Sequence, residues 1–186
     1  VTAHAAGQDV VRLTSGDPSL YSALHEQTRR LDAAQVPWDV TPGVPAYAAA
    51  AAVVGRELTV PLVAQSVVLT RTQARSTAMP ETESLAAFAA TGATLVLHLA
   101  ITRTRDLMSE LAASYGDACP VAVVARASQP EELVLRATVG TIADLVEEAG
   151  LRQAAVILVG PALGSASDAE SYLYSTERVA RKERLR

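Results

Sequence analysis

Val10-Val11-Arg12-Leu13-Thr14-Ser15-Gly16-Asp17-Pro18 is the stretch that decides the fold class of this chain. A short apolar run stops at a Ser-Gly-Asp-Pro turn, and Leu20, Leu24 and Leu31 then recur at helical spacing, so the segment reads as strand, turn and helix. Pro37 closes that helix. Trp38 to Val40 reads as a second short strand, and Thr41-Pro42-Gly43 turns the chain into an alanine-rich helix from Val44 to Val54. The first part of the chain is therefore expected to be βαβα.

Gly55 to Leu62 (GRELTVPL) has neither periodicity and carries a proline, so it reads as a linker, and the boundary of the first domain is placed at residues 60/61. Alternation resumes beyond it. Ser66 to Thr70 is a strand and Arg71 to Pro80 a polar loop; Glu81 to Ala90 is a helix, Thr94 to Leu99 a strand and Thr102 to Ser114 a helix. Val121 to Val124 and Leu133 to Thr138 form a hairpin pair across Ser128-Gln129-Pro130. Thr141 and Asp144 have the spacing of a capping box, opening a helix that Gly150 ends, and Ala154 to Val159 is the last strand. The expected architecture is α/β in two domains, 1–60 and 61–164, with a charged tail from 165 to 186. In that tail the basic and acidic residues nearly cancel.

Composition narrows the functional classes. Of 186 residues 49% are hydrophobic but only 4% aromatic, with a net charge of -4, and alanine alone supplies 36, so the core is built from small aliphatic side chains. A chain of this sign with no basic run before its last residues does not present a field for nucleic acid. The longest apolar run, Ala46 to Val54, is too short to span a bilayer, and a soluble cytosolic protein is expected. His4, His25 and His98 are far apart in sequence and Cys119 has no CxxC companion, so no metal site is expected. His98 falls in an apolar strand, where a lone histidine is packed more often than ligating. There is no GxSxG elbow, no GxGxxG and no P-loop.

The strongest local signal is Ser15-Gly16-Asp17-Pro18, at the carboxyl end of a strand and the start of a helix, where open α/β sheets bind ligands. Gly16 permits close backbone approach, and Pro18 suits a first helical turn. Asp17 reads either as a helix cap or as an acceptor for ribose hydroxyls or an amine.

Taken in order, SGDPSLY (15–21), TPGV (41–44), GRELTVP (55–61), VLTR (68–71), MPE (79–81), RASQPEE (126–132), ILVGP (157–161) and SYLY (171–174) resemble the tetrapyrrole methyltransferases of the corrin pathway, over most of the chain. The resemblance implies methyl transfer from S-adenosylmethionine to carbon 11 of a reduced tetrapyrrole, by a homodimer of two α/β domains with the cofactor in the cleft between them. It also implies that Ser15, Gly16, Asp17 and Leu20 lie beside the methionine and ribose parts of the cofactor, with Pro45 and Ala46 in the second turn. Leu99, Ala127 and Ala162 would surround the adenine. Arg71 and Arg75 have the chemistry to pair with substrate carboxylates, since guanidinium forks match carboxylates. No metal is needed, and no catalytic base is named by the pattern.

The family pattern opens with a further strand and a glycine-proline loop that have no counterpart before Val1, so the first domain is expected to be N-terminally incomplete. Thr14 and Pro45 also depart from it. Two other readings stay open: a non-catalytic α/β binding module, and an enzyme that methylates another position or a cobalt-containing intermediate.

Overall fold

The computed structural model describes residues 1–72 and 78–164, and divides the chain into two compact units, Val1–Ala49 and Ala50–Arg186. The division falls inside the alanine helix rather than at the 60/61 boundary. The tail from 165 lies outside the described residues.

In the first unit the described helices are α1 (Thr2–Ala5), α2 (Leu24–Ala33) and the start of α3 (Ala46–Val54). The two strands expected at Val10–Leu13 and Trp38–Val40 are not formed. Both segments run without a ladder, and Val10, Val11 and Leu13 are 65%, 83% and 89% exposed. The physical reason is pairing: a strand has no independent stability until another strand satisfies its backbone, and no described residue does so here. The first helix also starts later than its leucine spacing suggested. Residues 17–23 remain irregular, and Ala23 enters the helix from a left-handed backbone, φ 58°.

The second unit holds the sheet. Strands β1 (Val67–Arg71), β2 (Thr94–His98), β3 (Pro120–Ala125), β4 (Leu133–Thr138) and β5 (Ala155–Val159) lie in the order β1-β2-β5-β3-β4. Among the described neighbouring pairs β1 and β2 form the parallel one; β5 is antiparallel to both β2 and β3, and β3 and β4 form the expected antiparallel pair. Every residue of β2 is buried, as are all but the first of β3 and of β5, so these central strands are covered on both faces. On one face Leu95, Leu97, Val121, Val123, Ile157 and Val159 pack against Leu107, Met108, Leu111, Ile142 and Val146. These partners come from α5 (Thr104–Tyr115) and α6 (Ile142–Glu148), while Ala89 of α4 (Leu85–Ala89) joins the same cluster. Fully burying a side chain such as Leu111 contributes about 1.5–3 kcal/mol, so this face is a large part of the unit's cohesion.

The ends of the sheet are tied by polar contacts. The GRELTVPL segment is not a free linker: Thr94 Oγ1 donates to the carbonyl oxygen of Leu58 at 2.7 Å, and Val60 bridges to Ala64. Ser84 caps α4, its hydroxyl accepting from the Ala87 amide at 3.1 Å. The capping box expected at Thr141 is not made. Thr141 Oγ1 instead accepts from the Thr138 amide at 3.2 Å, and Asp144 turns outward to Arg105 at 2.6 Å, because a nearby guanidinium outcompetes the reciprocal cap.

Candidate functional site

In the first unit the Ser15–Ser19 bend and the Thr41–Ala46 turn are joined through one carboxylate. Asp17 Oδ2 accepts from the Gly43 amide at 2.8 Å, and Oδ1 accepts from the Ser19 amide at 2.8 Å and from the Ser19 hydroxyl. Asp17 is therefore no helix cap: α2 begins at Leu24, and the Asp17 carboxylate faces the second loop instead. These three hydrogen bonds, Ser19's hydroxyl first, hold the carboxyl below the ordinary 3.8.

Two glycines allow the approach for different reasons. Gly16 sits at φ 72°, a left-handed backbone that only glycine adopts without strain. Gly43 is required by space, because a Cβ there would lie 2.1 Å from the Gly16 carbonyl oxygen. Ser15 and Ala46 are exposed, while Leu20 and Pro45 are half-buried. Ala46 opens α3, and the first amides of a helix have no partner within it. The result is a surface of backbone N–H groups and small side chains, which suits recognition of a polar ligand by main chain.

In the second unit the predicted residues separate. Leu99 follows the end of β2, 72% exposed and at φ 54°. Ala127 follows β3 between Arg126 at φ 51° and Ser128 at φ 66°. Arg126 donates its amide to the Ala154 carbonyl oxygen at 2.8 Å, which places this loop at the start of β5. Since β5 runs against both β2 and β3, Leu99 and Ala127 share one end of the sheet. Ala162 does not join them. It follows Gly160, whose amide donates to the Pro120 carbonyl oxygen at 3.1 Å and whose position faces Thr94, so it lies at the other end and is 4% exposed. Five residues of strand separate the two ends by on the order of 15 Å, too far for Ala162 to share one adenine with Leu99 and Ala127. Antiparallel insertion of β5 causes this, and the residue pattern carried no sign of it.

Arg71 ends β1 opposite His98, at the same end as Leu99. Its guanidinium donates to the carbonyl oxygens of Ala78 at 3.1 Å and Thr72 at 3.4 Å. Arg75 lies outside the described residues. His98 is buried, and desolvation holds its pKa below 6.5. Among the described residues no group of three or more His, Cys, Asp or Glu comes together, and no helix is long and apolar enough to cross a membrane. A cavity of about 90 Å³ near the start of α5, lined by Ile101 to Asp106 with Val146, Glu147, Leu151 and Arg152, is smaller than small-molecule sites, which run about 300–1,000 Å³.

Sequence reasoning missed Gly43 and Ser19 as members of the first-unit site. Asp17 and Gly43 lie 26 residues apart, and only the TPG turn hinted that a glycine was needed there.

Residues 1–143 match the family model for Tetrapyrrole (Corrin/Porphyrin) Methylases. A precorrin-4 C(11)-methyltransferase from Rhodococcus erythropolis is 55% identical over 178 residues, covering 96% of this chain and 72% of the relative. Among solved structures, the cobalt precorrin-4 methyltransferase CbiF superposes with a TM-score of 0.85 at 37% identity, covering 88% of this chain and 69% of that one. A uroporphyrin-III C-methyltransferase from Thermus thermophilus, solved with S-adenosyl homocysteine, gives a TM-score of 0.70 at 27% identity, covering 87% and 70%.

Proposed function

This chain belongs to the tetrapyrrole (corrin/porphyrin) methylases, and we propose that it transfers a methyl group from S-adenosylmethionine to carbon 11 of precorrin-4 in cobalamin biosynthesis. The single observation that carries the reading is the extent of identity with a precorrin-4 C(11)-methyltransferase, which runs through both units and includes the Asp17-braced loops.

S-adenosylmethionine supplies, when bound, a methyl group already activated on a sulfonium, so the protein's task is alignment of nucleophile, methyl and sulfur. The residues present fit such a group. Gly16 and Gly43 keep side chains out of the first-unit loops, leaving main-chain groups to bind the polar parts. We assign the main chain of Ser15, Gly16 and Asp17, with Leu20, of the first loop, and Pro45 and Ala46 of the second, to the methionine and ribose parts, the Asp17 carboxylate being engaged by Ser19 and Gly43. The first amides of α3 favour an anionic carboxylate. Leu99 and Ala127 of the second unit offer apolar surface of the kind an adenine ring takes, and Ala162 is withdrawn from that role. Arg71 and Arg75 are assigned to substrate carboxylates. No residue is assigned to proton removal. The reading extends to a cytosolic homodimer, with sedimentation velocity as its check.

The likeness to CbiF favours a second reading, in which the substrate is cobalt-precorrin-4 and the metal belongs to the substrate. Calorimetric titration with S-adenosylhomocysteine, followed by incubation with each macrocycle and carbon NMR of the product, tests both. Binding and a new methyl at carbon 11 are expected. No cofactor binding would leave the non-catalytic module as the better account, and a methyl elsewhere would overturn the substrate assignment.

A further inference from the structure

We infer that Asp17 is a positioning residue, which ties the Thr41–Ala46 turn to the Ser15–Ser19 bend through the Gly43 amide and so sets the spacing at which the two loops meet the cofactor. The inference rests on the cofactor reading above and goes beyond it, because it gives Asp17 a role through another residue rather than through the ligand.

The geometry carries it. A carboxylate offers about four acceptor positions. Three are taken inside the protein, two on Oδ1 by Ser19 and one on Oδ2 by Gly43. Among the described residues no backbone–backbone hydrogen bond joins the two loops, so regular structure does not hold them together. Leu20 donates back to the Asp17 carbonyl at 3.3 Å, and the Ala48 and Ala49 amides close on the Pro45 carbonyl at 3.0 and 3.2 Å, so each loop is braced locally and on its own side. The cross-link is short because Gly43 has no side chain: a Cβ would sit 2.1 Å from the Gly16 oxygen and 3.6 Å from the Asp17 Cα. Carboxylate and glycine are thus two halves of one device. The carboxylate pulls the turn in, and the missing side chain lets it come.

Two groups that act through one contact give non-additive losses. The test uses the whole chain with Asp17→Asn, Gly43→Ala and the double variant. Hydrogen exchange at the Gly43 amide is followed without ligand. Affinity is measured for S-adenosylhomocysteine, for its analogue lacking the amino group and for its analogue lacking the ribose hydroxyls. Asp17→Asn is expected to speed Gly43 exchange and to weaken all three ligands by the same factor, about tenfold. Gly43→Ala is expected to do likewise, with the double variant no worse than the poorer single one. A loss that disappears for one analogue would make Asp17 a direct ligand and overturn the inference, as would additive losses. Should the Asp17 variant not fold, exchange in the unaltered chain decides: a Gly43 amide that exchanges as fast as an open one overturns the tie. Failure of the unaltered chain to bind S-adenosylhomocysteine would remove the cofactor reading itself, an outcome separate from binding with ligand-dependent loss.

Discussion

Arg136, in the edge strand β4, donates from Nη2 to the carbonyl oxygen of Val54 at 2.9 Å, joining the end of the alanine helix to the sheet 82 residues further along the chain. Arg136 pairs in register with Ala122 and so shares the sheet face opposite Val121 and Val123, which pack against α5 and α6. The bond satisfies one of the last carbonyls of α3, which the helix cannot satisfy itself. Arg136→Met keeps the stem and removes the donor. It is expected to lower the stability of the second unit by about 1–2 kcal/mol, read as a shift of the urea midpoint at constant slope.

Leu99 predicts opposite effects on stability and binding. Its backbone is left-handed and its side chain is exposed, so it gains little by burial while carrying strain. Leu99→Gly is expected to leave stability unchanged or raise it by up to about 1 kcal/mol. If Leu99 serves the cofactor, the same change weakens S-adenosylhomocysteine severalfold. A protein that loses stability with unchanged affinity would show that Leu99 serves packing.

Tyr115 lies partly buried at the end of α5 and donates its hydroxyl to the Ala93 carbonyl oxygen. Burial, with a contribution from Cys119, pushes its pKa up to about 12. The folded protein therefore favours the neutral phenol: the stability it confers is complete below pH 10 and is lost as pH rises towards 12. Tyr115→Phe is expected to cost about 1 kcal/mol at neutral pH. It should also remove a phenolate step near pH 12 from a spectrophotometric titration.

His98 works in the acid direction. Burial disfavours its charged form and lowers its pKa in the fold, whereas the unfolded chain takes up a proton near 6.5. Stability linked to this group is thus complete above 6.5 and declines as pH falls from there to the lower folded value. Comparing the urea midpoints of the unaltered chain and His98→Asn at pH 7.5 and 5.5 should show a steeper acid loss in the unaltered chain. Equal slopes would place the titration elsewhere. Asp17 adds no pH dependence in this range, since its carboxyl is held below 3.8 and is ionised throughout.

The second unit was legible because its central strands β2, β3 and β5 are buried and its five strands carry Val- and Leu-rich runs; β4 spans the very residues read from sequence, and β2 and β5 fall within one residue of theirs. The first unit was not. VVRL has strand composition, yet composition reports compatibility with a sheet and says nothing of a partner. Asp17-Pro18 looked like a helix start because capping is local, while the bond that claims the carboxylate comes from Gly43 across 26 residues. Ala162 failed for the same reason. Strand direction depends on how distant segments pair, and no residue near 162 records that β5 runs against its neighbours.

The sheet order has a consequence for biosynthesis. β5 is the last strand of the described chain and lies in the middle of the sheet, flanked by β2 and β3. A nascent chain that has not yet delivered Val159 from the ribosome holds two half-sheets with open inner edges, β1-β2 and β3-β4, whose Leu95 to Leu97 and Val121 to Val124 are destined for full burial. The five-stranded sheet therefore closes only when β5 emerges, and a chain held back before that point would expose sticky edges that chaperones must cover.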